Sequence, residues 1–333
     1  MEEFTLLPDL ASRTFGGGVV FANDELFAAA DHLVEPAAPV FAPKTFGLKG
    51  QVYDGWETRR RRTPGHDTAI IRLGAPGVVH GIDIDTAFFT GNFPPHASVD
   101  GTALQGYPDP IQLAEAHWVP LVSHSALAGD SRNLFNVDSR QRFTHVRLNI
   151  YPDGGVARLR VHGEVVPDPD LLPSVFDVAA AEHGGRIAGC SNMFYGHPQN
   201  LILPGLAGSM GDGWETSRRR DDGNDWVLVQ LAVPSVIELA DLDTSHFKGN
   251  APGSATLRGI DARTGLLDEP GDWFELLPQV RLSPDTRHRF PIPAVPTATH
   301  VRLDIFPDGG MARLRLIGRP DAGVLRARYE AVT

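Results

Sequence analysis

At 333 residues, 42% hydrophobic and 21% charged, the chain has the size of two domains and the balance of an ordinary globular protein. A net charge of -11 disfavours nucleic acid and anionic membranes as partners, and one cysteine, Cys190, excludes an intrachain disulfide framework and any CxxC metal site. The chain opens Met-Glu-Glu with no basic-then-apolar leader, and no apolar run approaches the roughly 20 residues of a membrane helix, so a cytoplasmic protein is expected.

Taken in chain order, Asn23-Asp24-Glu25 leading into Leu26–His32 predicts a short helix with Asn23 as its cap. Next comes Asp54-Gly55-Trp56-Glu57-Thr58, followed by four arginines, Arg59 to Arg62. Strands are predicted at Ala69–Leu73 and Val78–Asp83. In the block starting at Thr144, Val146, Leu148 and Ile150 alternate with polar residues, as do Ala157, Leu159 and Val161 beyond the turn Pro152-Asp153-Gly154-Gly155. Period-two alternation on both sides of a glycine-rich turn predicts a hairpin with one buried face. Val166-Pro167-Asp168-Pro169-Asp170 reads as a stiff linker, and the whole pattern then starts again.

The second half repeats the first. Asp54-Gly-Trp-Glu-Thr58 recurs as Asp212-Gly-Trp-Glu-Thr216, 158 residues on. Asp83-Ile-Asp-Thr86 and Gly91-Asn92 recur at that spacing as Asp241-Leu-Asp-Thr244 and Gly249-Asn250. Thr144–Gly163 matches Thr299–Gly318 at 15 of 20 positions, too closely for chance. With 35 glycines, 27 prolines, short strands and little helix, the expected fold is all-β: two tandem homologous β-sandwiches of the jelly-roll type, residues 1–167 and 168–333.

Four consecutive arginines in an acidic chain form either a clamp for a small anion, with Glu57 and Asp54 as neighbouring proton-transfer groups, or a set of internal ion pairs. If they lie in a strand, Arg59 and Arg61 face one way and Arg60 and Arg62 the other. Asp83 and Asp85 share a strand face, with Asn92 and His96 beyond. That group suits acid/base work or a divalent metal, or else local turn formation, and its spacing matches no strong metal motif. His66, His96 and His124 are the polar histidines of the first copy. There is no GxSxG, P-loop or dinucleotide fingerprint. Between the copies, Arg59 becomes Ser217, His66 becomes Asn224 and His96 becomes Ser254, whereas Phe88 becomes His246 and Thr90 becomes Lys248. His246 and Lys248 would give the second copy its own proton-transfer or anion-binding groups.

The segments Asp54–Arg62, Gly65-His-Asp67 and Gly81–Ser98, with Asp212–Thr216, Ser245–Asn250 and Thr299–Gly310, together resemble the allantoicases over nearly the whole chain. The resemblance implies a repeated jelly roll, a homo-oligomer, and hydrolysis of allantoate to ureidoglycolate and urea within allantoin degradation. No cofactor is implied with certainty, and a divalent metal stays open. For that substrate, the expectation is that Arg60 and Arg61 orient the carboxylate and that Glu57 and His96, with Asp54, handle protons or water. Asn92, Asp85, His246 and Lys248 are the further substrate-binding candidates. The rival from another class is a tandem β-sandwich module that binds a carbohydrate or other small ligand without catalysis; such a sugar-binding face would show exposed aromatics, and the chain has only five Trp and five Tyr.

Overall fold

The computed structural model describes residues 3–333. The chain divides into two compact units, one running to Val166 and taking in Val332–Thr333, the other Pro167–Ala331. Both are sandwiches of antiparallel strands. The first contains β1 (Gly18–Ala22), β2 (Phe46–Gly47), β3 (Gly50–Gln51), β4 (Trp56–Glu57), β5 (Asp67–Asp85), β6 (His96–Thr102), β7 (Val119–Ala126), β8 (Arg132–Asn136), β9 (Arg142–Tyr151), β10 (Gly155–Val156) and β11 (Arg158–Val165), with a short helix α1 (Pro110–Ala114). The second contains β12 (Phe176–Asp177), β13 (Arg186–Cys190), β14 (Trp214–Glu215), β15 (Asp225–Asp243), β16 (Ser254–Ile260), β17 (Phe274–Arg281), β18 (Arg287–Pro291), β19 (Ala298–Phe306), β20 (Gly310–Met311) and β21 (Arg313–Pro320), closing on α2 (Ala322–Glu330). Among the described residues, no helix is long and apolar enough to cross a membrane.

One 19-residue strand serves both sheets of the first unit. The first half of β5 pairs with β1 and β9, and from Gly77 onward the same strand pairs with β11 and β8. The two predicted strands, Ala69–Leu73 and Val78–Asp83, are therefore one strand with a corner between Arg72 and Gly77, where the register breaks. Glycine permits the corner: a Cβ on Gly74 would lie 2.4 Å from the Gly17 nitrogen, and one on Gly77 would lie 2.0 Å from the Glu164 oxygen. β15 repeats the arrangement with its own break between Gln230 and Ser235.

The predicted hairpin is corrected in the same way. β9 and β11 do not pair with each other; both pair with β5, β9 mainly along its first half and β11 along its second, overlapping only at Gly77 and Val78. The Pro152–Gly155 turn instead carries the chain from one sheet to the other, and Gly155-Val156 pairs with Trp56-Glu57 on the way. Inward residues of both sheets, among them Ile71, Ile82, Ile84, Val146, Leu148, Ile150, Leu159 and Val161, form one core with Trp56.

The predicted helix at residues 23–32 is absent; only a 3₁₀ turn forms, at Ala30–Val34. Asn23 is bound across the sheet instead: its Nδ2 donates to Asp67 Oδ1 at 3.0 Å and its Oδ1 accepts from the Thr68 amide at 2.8 Å. Ala28 forms a β-bridge with Glu57. These cross-chain bonds outcompete a helix too short to be stable alone.

Burial beside the Arg72 guanidinium pushes the His145 imidazole down from 6.5 to about 4. Its Nδ1 lies 2.9 Å from Thr144 Oγ1. Below pH 6.5 the unfolded chain takes up a proton that the folded chain refuses, so stability should fall as the pH drops toward about 4. Thermal unfolding of wild type and His145→Asn across this range tests the point: the substitution should flatten the slope, and an unchanged slope would count against it.

Candidate active site

The repeated Asp-Gly-Trp-Glu-Thr motif builds the site. Trp56 is fully buried, and its indole N–H donates to the Asp24 carbonyl at 2.8 Å. That contact brings the segment around Asp24 alongside the arginine run. The amide of Arg59 donates to Asp24 Oδ1 at 2.9 Å, and its guanidinium bonds the other oxygen. Burial alone would raise the Asp24 carboxyl, but the Arg59 and Leu26 amides and the Arg59 guanidinium outweigh it and hold the group below its usual range.

Residues 58–62 belong to no strand and lead into a bend at 63–65, yet the alternation of the arginines survives. Arg59 pairs with Asp24, and Arg61 NH1 pairs with the buried Asp67 at 2.5 Å, with its amide bonded to Asp153 Oδ2 at 2.8 Å. Arg60 and Arg62 are exposed and, among the described residues, have no hydrogen-bond or ion-pair partner. All four line an open cleft of about 650 Å³ together with Asn23, Asp24, Phe27, Thr63 and Asp67. Two of the four arginines, Arg59 and Arg61, therefore make internal ion pairs, and Arg60 and Arg62 do not.

Glu57 and Asn92 are brought together. Asn92 Nδ2 donates to Glu57 Oε1 at 2.7 Å, and the second unit repeats this with Asn250 and Glu215 at 2.6 Å. Burial raises the Glu57 carboxyl above its usual range, and the Asn92 bond offsets part of the rise. Glu57 adjoins the arginine cleft through its backbone, since its carbonyl accepts from the Phe27 amide at 3.2 Å; its side chain is not part of the lining.

The remaining predicted residues have partners of their own. Asp54 binds the buried Arg158 at 2.8 Å and accepts from the Val40 amide at 2.9 Å. Burial raises its carboxyl, but Arg158, the Val40 amide and His32 more than reverse the effect, which suits an ionised anchor better than a proton donor. Asp85 Oδ1 accepts from the Ala87 amide at 2.8 Å, a local turn bond, while burial and then the neighbouring Asp83 raise its carboxyl. His96 stacks on His124 with centroids 4.6 Å apart, and both His124 and His66 pack on Tyr151. The three candidate histidines thus cluster around Tyr151. His246 Nε2 is bonded to the Ala207 carbonyl at 2.9 Å, and Lys248 is exposed, 3.9 Å from Asp285. Among the described residues no group of three or more His, Cys, Asp or Glu is arranged to hold a metal ion. Stacked imidazoles and an aspartate engaged in its own turn do not present convergent ligands for a metal.

Sequence reasoning assigned no role to Asp24 and Asp67, the partners of Arg59 and Arg61, and read Asn23, which bonds Asp67, only as a helix cap. The available signal was that Asp67 recurs as Asp225 behind the shared arginines. It also missed a polar layer where β6 runs beside β9, and β16 beside β19. In the first unit Arg147 bonds Asp100 at 2.9 Å and Asn149 bonds Asp100 at 3.0 Å; in the second, Arg258 and Arg302 each bond Asp304 at 3.0 Å. The double exchange of Asp100 for Arg258 and Asn149 for Asp304 marks that layer in the sequence.

The Asn92 bond favours the ionised form of Glu57, so removing it should raise the carboxyl further. In Asn92→Ala, carboxyl-detected NMR titration should place the Glu57 midpoint above that of wild type; a midpoint at or below the wild-type value would contradict this account.

The allantoicase repeat matches this chain twice, at residues 8–166 and 176–321. A Nocardia farcinica protein described as a probable allantoicase is 56% identical over 319 residues, covering 95% of each chain. One from Streptomyces avermitilis with the same description is 48% identical, over 98% of this chain and 90% of that one. The crystal structure of the Saccharomyces cerevisiae allantoicase superposes with a TM-score of 0.80 at 37% identity, covering 93% of this chain and 92% of that one. On matches that span both repeats and nearly every element described above, the chain belongs to the allantoicase family.

Proposed function

We propose that the chain hydrolyses allantoate to ureidoglycolate and urea in allantoin degradation, with the first unit holding the reacting molecule. Allantoate is a carboxylate with two ureido groups on one carbon. The observation that carries the assignment of roles is the pairing of a half-buried Glu57, its carboxyl raised by burial, with Asn92, beside a cleft that holds the unpaired Arg60 and Arg62.

Arg61 takes the carboxylate by charge-assisted hydrogen bonds, with the charges of Arg60 and Arg62 beside it. Asn92 fixes Glu57 through Oε1 and leaves its other oxygen for water. The water oxygen bonds to the central carbon as the C–N bond to the departing urea breaks. The water proton passes to Glu57 and from there to the urea nitrogen, so the proton count closes. Asp54 serves as the ionised anchor of Arg158 that shapes the adjoining loop. His96 enters as a group that orders the neighbouring sheet edge through His124 and Tyr151. Assembly of several copies into a homo-oligomer accompanies this reading.

The test is urea release from allantoate by the purified chain. Wild type should turn over, and Glu57→Gln should lower kcat by about 100-fold or more. A base must be ionised to act, so kcat/KM should fall as the pH drops through the raised Glu57 value, and this acid limb should be absent in the residual activity of Glu57→Gln. Absence of urea from wild type would remove the assignment, and near-normal turnover by Glu57→Gln would remove the role of Glu57.

A further inference from the structure

The two copies of the arginine site differ in one respect that decides whether an external anion can bind. Arg61 and Arg219 are held alike. Each backbone amide donates to the aspartate of the Pro-Asp-Gly-Gly turn at 2.8 Å, Asp153 in one case and Asp308 in the other. Each NH1 bonds a buried aspartate, Asp67 at 2.5 Å and Asp225 at 2.7 Å. Each guanidinium also lies over a glycine: a Cβ on Gly65 would come within 2.9 Å of Arg61 NH2, and one on Gly223 within 2.8 Å of Arg219 NH2.

The remaining edge of the guanidinium differs. In the second unit Asp221 takes it with both oxygens, at 2.9 Å from Nε and 3.2 Å from NH2, and Oδ1 of the same carboxylate also accepts from the Gly223 amide at 2.9 Å. Its counterpart in the first unit is Thr63, which has no carboxylate, and Arg61 Nε is buried without an acceptor. A buried cationic donor left in that state is costly, and an arriving carboxylate would remove the cost. The surrounding charge points the same way. In the first unit Arg59 to Arg62 face Asp24 and Asp67, four positive charges against two negative. In the second, Arg218, Arg219 and Arg220 meet Asp221, Asp222 and Asp225, and the counterpart of Arg59 is the neutral Ser217.

We infer that each chain holds one substrate carboxylate, on the Nε/NH2 edge of Arg61 in the first unit, and that Asp221 closes the equivalent edge in the second unit as a built-in carboxylate. Asp221 shows the geometry: the ligand carboxylate takes in the first unit the bidentate place that Asp221 takes in the second. A carboxylate two residues away acts at a high effective concentration, so a dilute ligand does not displace it. Arg60 and Arg62 supply the field that draws the anion in. The inference uses the allantoate reading only for the identity of the ligand.

The probe is hydantoate, a carboxylate with one ureido group on the same carbon and no second ureido group to expel, titrated calorimetrically into the full chain. Wild type should bind one equivalent per chain. Thr63→Asp, which copies Asp221 into the first unit, should weaken binding by about 100-fold, whereas the neutral Thr63→Asn, of the same shape, should bind at least about ten-fold more tightly than Thr63→Asp. Asp221→Asn should add a second equivalent. Two equivalents in wild type, no binding in wild type, or equal affinity in wild type and Thr63→Asp would each overturn the inference. A stoichiometry of one in Asp221→Asn would overturn the role given to Asp221. Because none of these readings involves turnover, a chain that binds hydantoate through Arg61 yet releases no urea from allantoate would defeat the proposed reaction and leave this inference standing.

Discussion

The arrangement of both units depends on finding an acceptor for a buried tryptophan N–H. Trp56 and Trp214 are completely enclosed, and an enclosed indole donor without a partner would be costly. In each unit the acceptor is a backbone carbonyl on a segment far away in sequence, Asp24 for Trp56 and Asn192 for Trp214, both at 2.8 Å. Once that bond forms, the side chain at the acceptor position reaches the residue three beyond the tryptophan: Asp24 accepts from the Arg59 amide, and Asn192 from that of Ser217. The neighbouring side chain reaches the buried aspartate, Asn23 to Asp67 and Ser191 to Asp225. One hydrogen bond in the core thereby sets the course of the arginine segment at the surface.

A second constraint explains why the short repeated motifs are rich in glycine. Phe89 is a fully buried wedge between two of them. A Cβ on Gly55 would lie 2.9 Å from its ring and one on Gly155 only 2.0 Å, and Phe247 imposes the same limits on Gly213 and Gly310, at 2.8 and 1.9 Å. The glycines of Asp-Gly-Trp-Glu-Thr and of Pro-Asp-Gly-Gly thus answer a packing need. The same wedge holds the loop that ends in Asn92 or Asn250 against the strand that carries Glu57 or Glu215, so the glutamate–asparagine pair follows from the packing in both units.

The duplication and the β-rich character were legible in the sequence, because each leaves a local or periodic trace; the pairing of Glu57 with Asn92 was not, since the two residues lie 35 positions apart in separate motifs. Nor was the sandwich topology. Alternation in Val146–Ile150 and Ala157–Val161 records that each strand has an inward face, but not which strand it pairs with, and here a third strand stands between them. The corner in β5 was read as a break because Gly74-Ala75-Pro76-Gly77 has the composition of a loop; only the close approach of Glu164 to Gly77 shows why a continuous strand needs glycine there. The helix at residues 23–32 was expected from local propensity, and side-chain bonds to Asp67 and Thr68 overrode it. The histidines were counted one by one, whereas their stacking around Tyr151 depends on sheet register, which no single segment encodes.

What separates the two units is therefore electrostatic. The tryptophan anchor, the phenylalanine wedge, the glutamate–asparagine pair and the buried arginine–aspartate pair are common to both. These elements make the scaffold and can be inherited intact by either copy. The substitutions that change chemistry fall on the arginine segment and its partner, outside the core: Arg59 against Ser217, Asp24 against Asn192, Thr63 against Asp221. None of them disturbs a core contact, because the backbone bond at each of the first two pairs is kept by the replacement side chain. His246 and Lys248 do not restore to the second unit what these exchanges remove, since one is bonded to a backbone carbonyl and the other forms a long, exposed pair of a kind that contributes little. A duplicated fold can in this way keep two identical frames while an exchange of exposed charges distinguishes the work of one from the other.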